Sequence, residues 1–306
     1  MSGNKLWIGG YGPEESAHGI GLAAFRDHVV TATNGEVAVD VTWNLMSEGR
    51  PNTDLLGLVE AGTMFLCYFS TSYLGDRVTE LNVLETPFLF PDLDTAHHTL
   101  DDRLGARLRT AVRSGTGFEV LGFWDNGFRH LTNRLRAIRS PDDCRGLSVR
   151  LQPNAIHEEL IRCWGAVPIA VDLNQGIQLI TSQSVDAQEN PLANTVAYGV
   201  DKVHPYITMT GHLYGARGLF ANRAKYESMP PALRDIVDAA AREAVVTQRA
   251  VAAANEEALR RDLEIDGLVF VDLTDDERED FVTSAAPAVA MARRMVPADL
   301  YELVGP

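Results

Sequence analysis

The sequence predicts an α/β fold of two lobes, each built on β-α-β units, with one long helix crossing between them. Three observations predict it. Strand-like and helix-like patterns alternate through both halves of the chain. A length of 306 residues with 45% hydrophobic content exceeds what one core comfortably serves, since single cores stop growing at roughly 250 to 300 residues. Finally, "PPALRDIVDAAAREAVVTQRAVAAANEEALRRDLEIDG" is an unbroken run of strong helix formers, long enough to pass from one lobe to the other.

The first half reads in order. "KLWIGG" is a strand, "YGPEESAHG" a turn, and "IGLAAFRDHVVTATNG" a helix stopped by glycine. "EVAVDVTW" is the next strand, "TDLLGLVEAG" a second glycine-terminated helix, and "TMFLCYFS" a buried apolar strand. The order β-α-β-α-β gives a parallel, doubly wound sheet, whose ligands bind beyond the carboxyl ends of the strands. "ETPFLFPDLDTA" is a Pro-bounded turn, and "AHHTLDDRLGARLRTAVRSGTG" a helix.

A second unit starts near "FEVLGFWDNGFRHLTN" and repeats the logic with strand "GLSVRLQ", helix "NAIHEELIRCWG", strand "AVPIAV", helix "LNQGIQLITSQS" and strand "VDAQEN". The expected division is 1–125 plus 213–252 for the first lobe, and 126–212 plus 253–306 for the second. The closing "MARRMVPADLYELVGP" suits packing within its own subunit or against another. No internal repeat stands out.

Charge narrows the partners. A net charge of −15 argues against nucleic acid and against anionic membrane surfaces, both of which need excess Lys and Arg. No stretch approaches the roughly 20 apolar residues of a membrane span. "MSGNKLWIGGYG" has no charged-then-apolar signal pattern, which fits either a cytoplasmic chain or a mature secreted domain. Cys67, Cys144 and Cys163 match no metal spacing; Cys144 and Cys163 would bridge only if geometry allowed, the alternative being inert thiols. The adjacent His97 and His98 point about 100° apart on a helix and read as surface rather than as metal ligands. Nothing calls for a metal or a cofactor.

One residue breaks its local pattern. In "RGLSVRLQPN", Leu147, Val149 and Leu151 face one way, Ser148, Arg150 and Gln152 the other. Arg150 is a permanent charge near the carboxyl end of an apolar strand, and it needs a partner. Arg129, between Phe128 and His130 in "FRHLTN", is a second arginine at a strand position in the same lobe. Either arginine alone suits a salt bridge; two in one lobe point to an anion site. Trp43, Trp124 and Trp164 read as packing, with Trp124 the best exception because it precedes Arg129. Tyr214, after "TGH", returns toward the first lobe as a candidate lining residue, while His212 suits a bracing hydrogen bond. An enzyme would have to draft Cys67, His130 and Asp186, but no nucleophile elbow or phosphate loop accompanies them, so the chain is expected not to be an enzyme.

Several linked segments carry a resemblance. "GFRHLTNRLRAIRSPDDCRGLSVRLQPN", "GAVPIAVDLNQGIQLITSQSVDAQENPL" and "YITMTGHLYGARGLFANRAKYESMPPALRDIVDAAAREA", in this order, resemble the solute-binding proteins of tripartite ATP-independent periplasmic (TRAP) transporters, as do "STSYLGDRVTELNVLETPFLFPD" and the span from "GEVAVDV" to "VEAG". The resemblance implies a periplasmic-binding-protein-like fold, a periplasmic location, a small carboxylate ligand captured as a cleft closes, and delivery to TRAP membrane subunits. It further implies that Arg150 grips the carboxylate through two hydrogen bonds, a geometry that Arg offers and Lys does not. Asn190, in "QENP", would bond the same ligand, and Arg129 would be a second basic contact. Tyr11, Asn52, Phe69, Ser70 and Leu173 fall where members touch the rest of the ligand; many have Phe in place of Leu173, and Gln175 stands where Glu is common. Tyr11, Phe69 and Ser70 replace the more polar groups of acid-sugar binders, which leans toward a compact or aromatic monocarboxylate. The rival within this resemblance is a sensory module that reports its ligand to a kinase.

Overall fold

A computed structural model describes residues 4–304. In chain order its elements are β1 (Asn4–Gly9), α1 (Ala17–Ala32), β2 (Val37–Thr42), α2 (Asp54–Glu60), β3 (Leu66–Ser70), α3 (Leu93–Asp101), α4 (Arg103–Gly115), β4 (Phe118–Asn133), β5 (Ser148–Leu151), α5 (Ala155–Cys163), β6 (Val167–Ala170), α6 (Leu173–Thr181), β7 (Ala187–Asn190), α7 (Leu192–Ala197), β8 (Tyr206–Asn222), α8 (Arg223–Ser228), α9 (Pro231–Ile265), β9 (Val269–Val271), α10 (Asp275–Ser284) and α11 (Ala286–Met295). The chain forms two compact units, 1–71 with 100–125 and 216–253, and 72–99 with 126–215 and 254–306. Residues 72–99 thus cluster with the second unit, whereas the sequence division put them in the first lobe. They contain Pro-bounded turns without a strand of their own, so periodicity had nothing to attach them by.

In the first unit the strand order is β2-β1-β3-β8. β1 runs parallel to β2 and β3, as the β-α-β-α-β reading requires, and β8 joins antiparallel to β3. Ser16 starts α1 three residues earlier than the sequence pattern suggested, because its hydroxyl accepts the Gly19 N–H at 3.0 Å. Ile8, Leu22, Phe25, Val29, Leu55 and Val59 are fully buried between the sheet and its helices. The helix expected over "AHHTLDDRLGARLRTAVRSGTG" is two, α3 and α4, broken at Asp102, whose ψ of −140° is not helical.

In the second unit the order is β4-β7-β5-β6. β5 is parallel to both β6 and β7, and β4 is antiparallel to β7. Val149 and Leu151 from β5, Leu160 and Ile161 from α5, Trp164, and Phe281 and Ala288 from α10 and α11 form the core below that sheet. Each Val, Leu, Ile or Phe side chain among these contributes about 1.5–3 kcal/mol on burial. Trp164 and Phe281 meet edge to face at 5.1 Å. Asn154 caps α5 by accepting the Ile156 N–H at 2.9 Å, and Asp172 caps α6 by accepting the Gln175 N–H at 2.8 Å. The predicted long helix is α9, 35 residues, and the chain passes from the first unit to the second within it, at 253–254.

Among the described residues no helix is long and apolar enough to cross a membrane. All three cysteines are free, so Cys144 and Cys163 do not bridge: Cys144 is buried in the second unit's core while Cys163 is part-exposed at the end of α5.

Candidate functional site

The register of β7 sorts the charged residues of the second unit. Gln188 stands beside Arg150, and strand alternation puts Asn190 on that same face. Glu189, between them, faces the other way. Arg150 and Asn190 therefore share one face of the sheet, near the carboxyl ends of parallel strands.

Glu189 is matched with Arg129. Both are at most 3% exposed. Arg129 donates from Nε to a Glu189 carboxylate oxygen, from Nη2 to the other oxygen at 2.8 Å, and from Nη2 to the Glu189 backbone carbonyl at 2.9 Å. Burial alone would push both groups toward neutrality, but their mutual attraction wins: it holds the Glu189 carboxyl well below the usual carboxylate range and raises the Arg129 pKa. His212, fully buried, stands 3.6 Å from Glu189, with its other ring nitrogen 2.6 Å from Thr210 Oγ1 and its ring edge-on to Trp164. It is a packed bracing group, as its position suggested.

Arg150 is different. It is 2% exposed, and among the described residues its one hydrogen bond runs from Nη2 to the Val171 carbonyl at 3.0 Å. Its Nε is buried without a partner, and among the described residues no carboxylate lies within ion-pair distance of it. Burial lowers its pKa; Tyr73 and Glu189 offset part of that, and the nearby positive charge of Arg129 adds to it. A guanidinium held this way lacks several kcal/mol of compensation. Five fixed donors with one acceptor engaged are a geometry that suits a planar carboxylate.

Asn190 is held by neighbouring amides. Its Nδ2 donates to Gln188 Oε1 at 3.3 Å, and its Oδ1 accepts from Asn194 Nδ2 at 2.9 Å, which also reaches Asn126 Oδ1 at 3.1 Å. These bonds fix the amide's orientation. Leu173, the first residue of α6, is buried. Tyr214 is buried too, edge-on to Phe90 at 5.5 Å and Phe128 at 5.8 Å.

The remaining candidates belong to the first unit. Tyr11 donates its backbone N–H to Tyr68 Oη at 3.0 Å and packs its ring against Tyr68 and Phe69 at 5.0 and 5.1 Å. Phe69 is buried, Ser70 half-buried, and Asn52 is buried with Oδ1 lacking a partner. Arg217, opposite Ser70 in the β3–β8 ladder, lays its guanidinium over the Tyr11 and Tyr68 rings at 4.9 and 5.4 Å. Trp124 is fully buried, 5.5 Å from the Tyr68 ring. Trp43 is not a core residue; it is half-buried beneath Arg26.

The sequence reading missed Glu189, Tyr73 and Arg217. Glu189 was signalled by its place inside "QENP", and Arg217 by being an arginine in an apolar strand, the same anomaly that marked Arg150. Tyr73, whose hydroxyl pKa is raised by burial and drawn back by Arg150 and Arg129, had no sequence signal. The residues an enzyme would have drafted serve structural ends. Cys67 is a buried thiol whose pKa burial raises far above its usual value. His130 accepts the Gly211 N–H at 3.1 Å, and Asp186 is bound by Arg134 at 2.6 Å and the Ser148 hydroxyl at 2.8 Å.

Comparison with known proteins agrees with this geometry. Residues 8–294 match the family model for bacterial extracellular solute-binding proteins, family 7. A solute-binding protein of Verminephrobacter eiseniae is 30% identical over 278 residues, covering 90% of this chain and 81% of that one. The 2,3-diketo-L-gulonate-binding periplasmic protein of Escherichia coli is 27% identical over 83% of this chain and 75% of its own. A TRAP periplasmic solute-binding protein from a Polaromonas species, solved bound to D-erythronate, superposes with a TM-score of 0.91 at 28% identity, covering 98% of each chain. With a family match over nearly its whole length, this chain belongs to family 7 of the bacterial extracellular solute-binding proteins.

Proposed function

We propose that this protein captures a small monocarboxylic acid in the periplasm and hands it to the membrane subunits of a TRAP transporter, without converting it chemically. The observation that carries this reading is Arg150, a buried guanidinium with one backbone hydrogen bond and no carboxylate partner among the described residues. The ligand's carboxylate takes two of its free donors, and Asn190 bonds the same group. Arg129, which the family resemblance makes a second basic contact, is paired with Glu189 and so presents little net charge to the acid. Tyr11, Asn52, Phe69, Ser70, Leu173 and Tyr214 are assigned to the remainder of the acid. Ligand contacts available only in a closed form favour that form, since differential affinity alone shifts such an equilibrium. The E. coli and Polaromonas relatives support an oxygen-bearing acid of a few carbons. The structural partners of His130 and Asp186 and the buried thiol of Cys67 support binding without turnover.

The test is a calorimetric titration of refolded, ligand-stripped protein with small acids, D-erythronate among them, each beside its neutral amide. An acid that binds while its amide does not supports the reading. Replacing Arg150 by Ala removes a charge partner worth about 2–5 kcal/mol, so Kd rises about thirtyfold to several thousandfold. Unchanged affinity in Arg150→Ala overturns the assignment.

A further inference from the structure

We infer that Gly176 is a positioning residue whose missing side chain forms the slot that holds the Arg150 guanidinium. The inference rests on the reading of Arg150 as the carboxylate receptor and deepens it. Gly176 lies inside α6, with its N–H on the Asp172 carbonyl at 2.9 Å as in any regular turn. Its φ is not in the left-handed region, so backbone conformation does not call for glycine. Glycine is also the poorer helix former than alanine. Space supplies the reason. A Cβ at 176 would stand 2.2 Å from Arg150 Nε, 2.8 Å from Cζ and 3.0 Å from Cδ.

The atoms in the way are the far end of a flexible side chain, so alanine is accommodated by displacing Arg150 rather than by distorting the sheet. Two anchors define the guanidinium's place: the Val171 carbonyl, which takes Nη2, and the bare Cα of Gly176, against which Nε lies. Displacement breaks the first and turns the fork away from its approach. Gly57, within α2, is the contrasting case, because a Cβ there meets nothing within 4 Å.

The experiment compares wild type with Gly176→Ala, Arg150→Ala, the double variant Gly176→Ala/Arg150→Ala, and Gly57→Ala. The first readout needs no ligand: the Nε–H NMR signal of Arg150, identified by its loss in Arg150→Ala, shifts and exchanges faster in Gly176→Ala but not in Gly57→Ala. The second is titration with D-erythronate. Gly176→Ala weakens binding about tenfold or more, the scale of one charge-assisted hydrogen bond, while in the Arg150→Ala background it adds little, because alanine leaves nothing in the slot to displace. Melting temperature does not fall in Gly176→Ala. An unmoved Nε–H signal overturns the inference whatever the titration gives, and so does an equal loss of affinity in both backgrounds. Wild-type affinity in Arg150→Ala, with the Nε–H signal moved in Gly176→Ala, overturns the carboxylate reading and leaves the slot itself standing.

Discussion

Arg129 and Glu189 form a closed ion pair inside the second unit, with both guanidinium edge donors and the carboxylate satisfied by each other. Arg150, close enough to feel both charges, has no such partner among the described residues. The two arginines of one sheet therefore differ: one is matched by a carboxylate within the fold, and the other has none at ion-pair distance among the described residues.

Stability separates them. Arg129→Met leaves Glu189 buried and unpaired and destabilises the protein by about 3–5 kcal/mol. Arg150→Met removes a charge that lacks an internal carboxylate and leaves the ligand-free stability unchanged or higher. Urea unfolding of the two variants without ligand measures both; equal destabilisation contradicts the distinction.

The Arg129–Glu189 pair is expected to be replaceable as a unit. Glu189→Gln alone strands the Arg129 charge and costs about 3–5 kcal/mol, whereas Arg129→Met with Glu189→Leu recovers most of that loss, since an apolar pair of similar volume tolerates burial better than half an ion pair. A double-mutant cycle in urea on Arg129→Met and Glu189→Leu gives a coupling energy; a coupling near zero argues that His212, rather than Arg129, stabilises the carboxylate.

Much of this was legible in the sequence, and the parts that were not share a cause. Alternation in "GLSVRLQ" put Arg150 on the face opposite Val149 and Leu151, and the core cluster contains those two and not Arg150. The long α9 followed from composition alone. What alternation cannot supply is the partner across a strand pair. Arg129 and Glu189 are 60 residues apart, and only the β4–β7 register brings them together. The break at Asp102 and the membership of residues 72–99 depend on tertiary packing in the same way. Gly176 was visible as a glycine inside a predicted helix, but the side chain it makes room for was not.

The cysteines give an independent check. With Cys67, Cys144 and Cys163 all free, adding dithiothreitol to purified protein leaves its melting temperature unchanged. Burial raises the Cys144 thiol to about 12, so it reacts slowly with a disulfide reagent at pH 8 until the chain is unfolded, while part-exposed Cys163 reacts first. Fewer than three reactive thiols in denaturant would reveal a bridge.

Acid weakens this fold through histidines that burial keeps neutral. Burial, with neighbouring positive charge, lowers the pKa of His204 from 6.5 to about 4 and that of His130 to about 3. The sign follows from proton uptake. Between about pH 6.5 and 4 the unfolded chain protonates these imidazoles and the folded one does not, so the unfolded state binds more protons and stability falls as pH falls. Each group contributes up to about 1.4 kcal/mol per pH unit across that window. His130 has a further reason to resist, because its Nδ1 accepts the Gly211 N–H and protonation breaks that bond. Urea unfolding at pH 7, 6 and 5 is expected to show a steepening loss of stability. His204→Gln, which keeps a polar group near Thr132 Oγ1, 3.0 Å from the imidazole, flattens the slope by about one proton's worth, changing stability little at pH 7 and leaving the variant more stable than wild type at pH 5. A slope identical to wild type shows that His204 takes up its proton in the folded state.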